Sequence, residues 1–274
     1  MASIVRVNSP PRSYLEVRPD ARLARDVECY WLYRAGSDGG APRRILPDGC
    51  MDLLFDLDRG DGRVVGTMTR AQLVPTGPGA ALVGVRFRPG RAPSLLSVSA
   101  RESLDTDCEL HALSPARRPT IAELAARLTT ARSDDERRRL LDRALLANAA
   151  QVAPAHPVAA RAIARLVAAH GGLRIAPLAR ELNVSERQLE RLVTTHVGVS
   201  PKQFARIVRL RALVTHLTRE PSSHASPSWV DLALQFGYAD QAHLAREFRV
   251  LAGTTLTAWA REQPMSDSFK TALA

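Results

Sequence analysis

The chain is 274 residues long, which favours two domains over one or four, and its 45% hydrophobic and 24% charged composition suits a globular protein with a real core. No run reaches the ~18–20 apolar residues of a membrane span, and residues 1–15 lack the apolar centre of a secretion signal, so neither membrane insertion nor export is expected. Lys+Arg outnumber Asp+Glu by 38 to 28, a net charge of +10, and only Lys202 and Lys270 are lysines. Guanidinium forks suit phosphates and guanine edges, which makes nucleic acid a leading partner. A GC-rich genome would also favour Arg over Lys, so the ratio says less than the net excess. Cys29, Cys50 and Cys108 are too few and too far apart for a disulfide framework or a zinc cluster, and read as reduced cytosolic thiols.

In chain order, residues 1–150 read as strands and turns followed by a helical pair. Segments 27–34, 51–57, 63–68 and 82–87 have strand character, and Pro47-Asp48-Gly49, Gly60-Asp61-Gly62 and Gly77-Pro78-Gly79 supply turns. From 120 to 148 the spacing becomes helical, with Ser133 as a cap before the acidic Asp134, Asp135 and Glu136. The first domain is therefore expected to be α+β, β-rich with a C-terminal helical pair. Pro154 and Pro157 punctuate an Ala-rich linker at 151–157. Residues 158–262 read as all-α, and 263–274 as a flexible tail. The helical half carries +6 of the surplus charge against +4 for the longer first half.

Two stretches of the helical half repeat each other. Leu189 to Pro201 and Leu244 to Leu256 align at an offset of 55 residues, and the second copy has one extra residue in the turn that precedes it. Each copy fits a helix, a tight turn and a second helix: Asn183 takes the turn and Ser185 caps in the first, Gly237 and Asp240 in the second. This places one helix-turn-helix at 177–197, a connecting helix at 201–218 and a second helix-turn-helix at 229–252. With Leu189, Leu192 and Val193 facing inward, Arg187, Arg191 and Thr194 point outward at about 100° per residue. With Leu244, Phe248 and Leu251 inward, Ala242, Arg246 and Arg249 point outward beside Gln241 and His243. Arg and Gln near a helix N-terminus suit phosphates and base edges in a major groove. For a lone amphipathic helix a solvated face would be the simpler account; two aligned copies favour DNA.

Gly198-Val-Ser-Pro-Lys-Gln-Phe204, Arg209, Arg211 and Phe236-Gly-Tyr-Ala-Asp-Gln-Ala-His-Leu-Ala-Arg-Glu-Phe-Arg249 with Gly253 resemble the AraC/XylS family of bacterial transcription regulators. The resemblance implies two helix-turn-helix motifs joined by a long helix, with base-reading positions at Arg187, Glu190, Arg191, Gln241, Ala242, His243 and Arg246. Leu256 stands where proline is usual, and the loop at 219–228 is longer than typical. Ile45-Leu-Pro-Asp-Gly-Cys-Met-Asp-Leu-Leu-Phe55 and Gly84-Val-Arg-Phe-Arg-Pro-Gly90 resemble an uncharacterised domain found ahead of such readers, which implies sensing or dimerisation.

No G-x-x-x-x-G-K-[ST], H-E-x-x-H or G-x-S-x-G occurs, so no catalytic residues and no cofactor are assigned. Asp48, Asp52, Asp56 and Asp58 cluster near Cys50, but with no histidine nearby they read as solvated turn and strand-edge carboxylates, and no metal is assigned. Tyr30, Trp31, Tyr33 and Phe55 could line a pocket, but read more simply as core. The expectation is a cytoplasmic, sequence-specific regulator of double-stranded DNA whose first domain modulates binding. RNA polymerase, a small-molecule effector and a second copy of the chain are further partners this layout allows. The competing readings are a first domain with its own catalytic or ligand-processing activity, and a nonspecific nucleoid-type binder.

Overall fold

The computed structural model describes residues 13–37, 42–109, 118–152, 155–219 and 228–262. Pro154 of the expected linker, residues 220–227 of the long loop and the expected tail at 263–274 lie outside the described residues.

The first part contains β1 (Ser13–Val17), β2 (Val27–Arg34), β3 (Arg43–Ile45), β4 (Met51–Asp56), β5 (Asp61–Val65), β6 (Gln72–Val74), β7 (Ala81–Phe87), α1 (Ala92–Leu96), β8 (Asp107–Glu109), α2 (Arg118–Thr130) and α3 (Asp134–Ala149). Six strands form an antiparallel sheet in the order β1-β2-β7-β4-β5-β8, and β3 pairs with β6 in a separate two-stranded ribbon. Five of these elements, β1, β3, β6, β8 and α1, go beyond the sequence reading. Each has three to five residues, too few for a period-2 or period-3.6 pattern to emerge.

Strand alternation sends two different sets of side chains to the two faces of the large sheet. One set is apolar: Met51, Leu53 and Phe55 of β4 and Val83, Val85 and Phe87 of β7 join Leu124 and Leu128 of α2 and Leu141 and Leu145 of α3 in one buried core. Asp142 fastens α3 to this face by accepting from the Tyr30 hydroxyl at 2.8 Å and the Asp20 N–H at 2.8 Å. The other face is mixed. Trp31 lies over Gly84, where a Cβ would stand 2.1 Å from the indole. Beside them Arg86 is buried among Glu16 at 3.1 Å, Asp52 at 3.5 Å and Asp48 at 3.6 Å.

This cluster corrects the expectation of solvated carboxylates. Asp48 is 4% exposed, and burial, which works against the Arg86 charge, is more than offset by Asp52, Tyr14, Asp48 and Cys29, so the guanidinium holds its proton more tightly than usual. Asp56 and Asp58 do behave as turn carboxylates, accepting from the N–H groups of Asp58, Arg59 and Ala81. Tyr30, Trp31, Tyr33 and Phe55 are all buried.

The second part is helical: α4 (Pro157–Ala168), α5 (Ile175–Glu181), α6 (Glu186–Val197), α7 (Pro201–Arg219), α8 (Trp229–Gln235), α9 (Gln241–Ala252) and α10 (Leu256–Glu262). It holds two cores. Leu178, Leu189, Val193 and Val197 pack with Phe204 and Ile207 of α7; Leu232, Leu244, Phe248 and Trp259 pack with Leu210 and Leu213 of the same helix. Among the described residues, no helix is long and apolar enough to cross a membrane.

Among the described residues the two parts touch at several places, Gly90 against Ile163 of α4 being one. A bulge between Val27 and Cys29 shifts the β2 register at Glu28, and Glu28 forms an ion pair with Arg211 of α7. Arg211 also donates to the Cys50 thiol at 3.5 Å. Burial works against its charge too, and Cys50, Glu28 and Asp48 raise its hold on the proton overall. The β3–β6 ribbon reaches the end of α9: Ala71 N–H donates to the Leu251 carbonyl at 2.6 Å and Arg44 to the Ala252 carbonyl at 3.1 Å. The turn after α1 meets the end of α6, where a Cβ at Gly198, whose φ is +90°, would stand 2.5 Å from the Ala100 carbonyl oxygen.

Replacing Arg86 by Ala leaves three carboxylates facing one another out of water. The expected cost is about 3–5 kcal/mol, read as a drop in the urea midpoint with an unchanged m-value. A loss below ~1 kcal/mol would show that the cluster is hydrated.

Candidate nucleic-acid interface

The two helix-turn-helix motifs are built by matching local interactions. In the first, Asn183 adopts a left-handed φ of 56°, its N–H donates to the Arg180 carbonyl at 3.1 Å, and the Val184 N–H donates to Ala179 at 3.0 Å. In the second, Gly237 has φ 71°, its N–H donates to Leu234 at 3.1 Å, and the Tyr238 N–H donates to Ala233 at 2.8 Å. The left-handed turn explains why Asn and Gly occupy these positions, since both tolerate positive φ. α6 and α9 each span 12 residues. They end alike, with the N–H of Gly198 donating to Thr194 and that of Gly253 to Arg249.

Their starts are capped by side-chain oxygens. Ser185 accepts from the Gln188 N–H at 3.1 Å, and Asp240 from the His243 N–H at 2.6 Å. The His243 ring then reaches back, its Nδ1 accepting from the Ala239 N–H at 3.1 Å, so the imidazole completes a reciprocal cap of the capping-box kind. Its edge also packs on Tyr238 with ring centroids 5.5 Å apart.

The outward faces carry the candidate readers. On α6, Arg187, Glu190 and Arg191 are exposed, while Thr194 is half-buried and its hydroxyl donates to the Val199 carbonyl at 3.4 Å. On α9, Gln241, Ala242, Arg246 and Arg249 are exposed and His243 is half-buried. The inward sides are Leu and Val on α6 and Leu, Phe and Ala on α9, all at 7% exposure or less. The geometry thus separates free side chains, able to meet a partner, from the Thr194 hydroxyl and the His243 Nδ1, which already serve the fold.

Between the motifs lies a basic cleft that sequence reasoning did not assemble. Arg174 before α5, Lys202, Arg206 and Arg209 of α7 and His243 of α9 line it, in a volume of about 580 Å³. Arg206 is held by Glu247 at 2.8 Å. Arg209 donates to the Gly171 carbonyl at 2.9 Å and stacks its guanidinium 5.3 Å from the Tyr238 ring centroid, joining the two motifs. These residues are up to 76 positions apart in the chain (Gly171 to Glu247), and only the packing of α7 against both cores brings them together. Among the described residues no group of His, Cys, Asp and Glu has the arrangement of a metal site.

A match to a helix-turn-helix family model agrees with this geometry. Residues 178–262 match a helix-turn-helix domain, and residues 15–109 match a domain of unknown function, DUF6597. No curated protein matches the chain. Among solved structures, the C-terminal domain of AraT, a response regulator from Geobacillus stearothermophilus, is 19% identical over 43% of this chain and 94% of its own, with a TM-score of 0.36. ToxT from Vibrio cholerae is 10% identical over 85% of this chain and 97% of its own, with a TM-score of 0.46. ToxT from the O395 strain gives 13%, 87%, 97% and 0.44.

Because Asp240 satisfies an otherwise orphan N–H of α9, Asp240→Ala should lower stability by about 1 kcal/mol, with Asp240→Asn retaining most of it. Thermal unfolding monitored by circular dichroism reads the difference; equal losses in both variants would make the carboxylate charge, not the cap, the source.

Proposed function

We propose, from the premise that this chain is a DNA-binding transcription regulator with an AraC-type helix-turn-helix domain behind a DUF6597 domain, that α6 and α9 are its two recognition helices. The observation that carries this reading is the repetition. Two capped 12-residue helices, each entered through the same left-handed turn, present exposed Arg side chains and are mounted on one shared helix. At 19 residues, α7 is about 28 Å long at ~1.5 Å per residue. That is close to the ~34 Å between successive major-groove faces on one side of a duplex.

In this reading Arg187 and Arg191 of α6 and Gln241 and Arg246 of α9 approach base edges, where a bidentate Arg selects guanine and Gln selects adenine. Lys202 and Arg174 of the basic cleft face the backbone between the two reading frames and fix register without reading sequence. Arg249, one turn before the end of α9, serves the same backbone role. Glu190 would disfavour nearby phosphates and accept from a cytosine amino group. The mechanism is binding; the first domain modulates it through its contacts with the ends of α6 and α9.

The test begins with selecting the bound motif from random duplexes, which should return two half-sites about one helical turn apart. The selected duplex should bind on the order of 10³-fold or more tighter than random DNA at physiological salt. Arg246→Ala should then cost about 1–3 kcal/mol and relax one base position in the second half-site. A cognate-to-random ratio near one would overturn the reading, and equal losses on both duplexes would make Arg246 a phosphate anchor.

A further inference from the structure

The outward face of α6 is bordered by the first domain. Arg187, Arg191 and Thr194 form one wall of an open groove of about 870 Å³ whose opposite wall is Ser94 of α1 with Ser99 and Arg101 of the turn after it. This wall is firmly placed. The Ala100 carbonyl abuts Gly198 at the end of α6. Ser103 Oγ donates to the Ser99 carbonyl at 2.9 Å, the Glu102 N–H donates to Ser99 Oγ at 3.2 Å, and Asn148 donates to the Leu95 carbonyl of α1 at 2.7 Å.

The charges in the groove are unbalanced. Arg101, Arg187 and Arg191 are exposed, and among the described residues none of them has a carboxylate within 4 Å. Glu190 is the one carboxylate in the lining. Among the described residues, Arg88 and Arg91 beside α1 are engaged internally, Arg88 with the Ala24 carbonyl and Arg91 with Asp26. No hydrogen bond or ion pair crosses from Ser94, Ser99 or Arg101 to α6 among the described residues. A wall that served to occlude α6 would be held shut by such bonds. Here guanidinium groups from two domains border one open groove, a repulsive arrangement that an anionic strand between them relieves.

We propose that this groove takes one sugar–phosphate strand of the duplex, with Arg101 contacting a phosphate beside the half-site read by α6. The first domain is then part of the DNA interface itself. The inference rests on the reading of α6 as a recognition helix. One phosphate contact contributes about 0.9 to the slope of log K against log salt, and acts alike on all sequences.

The experiment uses the full chain, the selected duplex and a random duplex, with binding followed by fluorescence anisotropy from ~50 to ~300 mM salt. Arg101→Ala should flatten the salt slope by about 0.9 and weaken both duplexes by the same factor, on the order of threefold. Arg101→Lys keeps the charge and should keep the slope. Ethylation of the flanking phosphates should interfere with binding of the native chain, and at one phosphate fewer with Arg101→Ala. If the native chain shows no cognate preference, the recognition-helix reading itself fails. If it does, and Arg101→Ala leaves slope and affinity unchanged, the groove holds no strand. Tighter binding by Arg101→Ala would show an obstructing wall instead, and would also overturn the proposal.

Discussion

The arrangement depends on α7 being buried along most of its length. A 19-residue helix exposed to water would be marginal on its own, because helix nucleation is costly and propagation gains little per residue. α7 escapes that limit by serving two cores in succession. Phe204, Ile207 and Val208 complete the first motif, and Leu210 and Leu213 complete the second. The spacing and tilt of α6 and α9 are therefore set by the one helix that both cores share.

The same rod is fastened to the first domain. The ring of Phe204 lies against the Gly49 backbone, and Arg211 meets Glu28 and Cys50. Behind that contact stands Arg86 with its ring of Glu16, Asp48 and Asp52. A buried ion cluster of this kind is a weak source of net stability, because desolvation offsets most of the attraction, but it penalises any packing that separates its members. It fixes the mixed face of the sheet, and with it the Asp48-Gly49-Cys50 turn that receives α7. The first domain also meets the C-terminal carbonyls of α9 through Arg44 and Ala71. Those carbonyls lack intrahelical partners, and an Arg there complements the negative end of the helix dipole.

Much of the helical half was legible in the sequence because its information is local. Caps at Ser185 and Asp240, left-handed turn residues at 183 and 237, and Leu and Phe at helical spacing each act within a few positions. The stronger strands were legible for the same reason, since β4 alternates cleanly between buried and half-buried positions. The short strands were not, because β3 and β6 are only three residues each and exist through their pairing with one another. Asp48 and Asp52 looked like surface carboxylates because their partner lies 34 residues or more away on another strand. Helical phase placed His243 beside the outward face of α9 but could not show that its ring turns back onto the Ala239 N–H.

The sequence by itself determined the units: an α+β first part, a helical second part, and a duplicated helix-turn-helix whose outward faces carry arginine. Local propensity, capping and hydrophobic period are enough for that, since each operates over one or two turns of chain. Only the tertiary structure decided which cations share a surface. Arg174 with Lys202 and Arg206, and Arg101 with Arg187 and Arg191, become neighbours only when α7 and the first domain have packed. Charge is long-ranged and non-directional, so its meaning depends on distance through space, and that distance is set by the burial of side chains far apart in the chain.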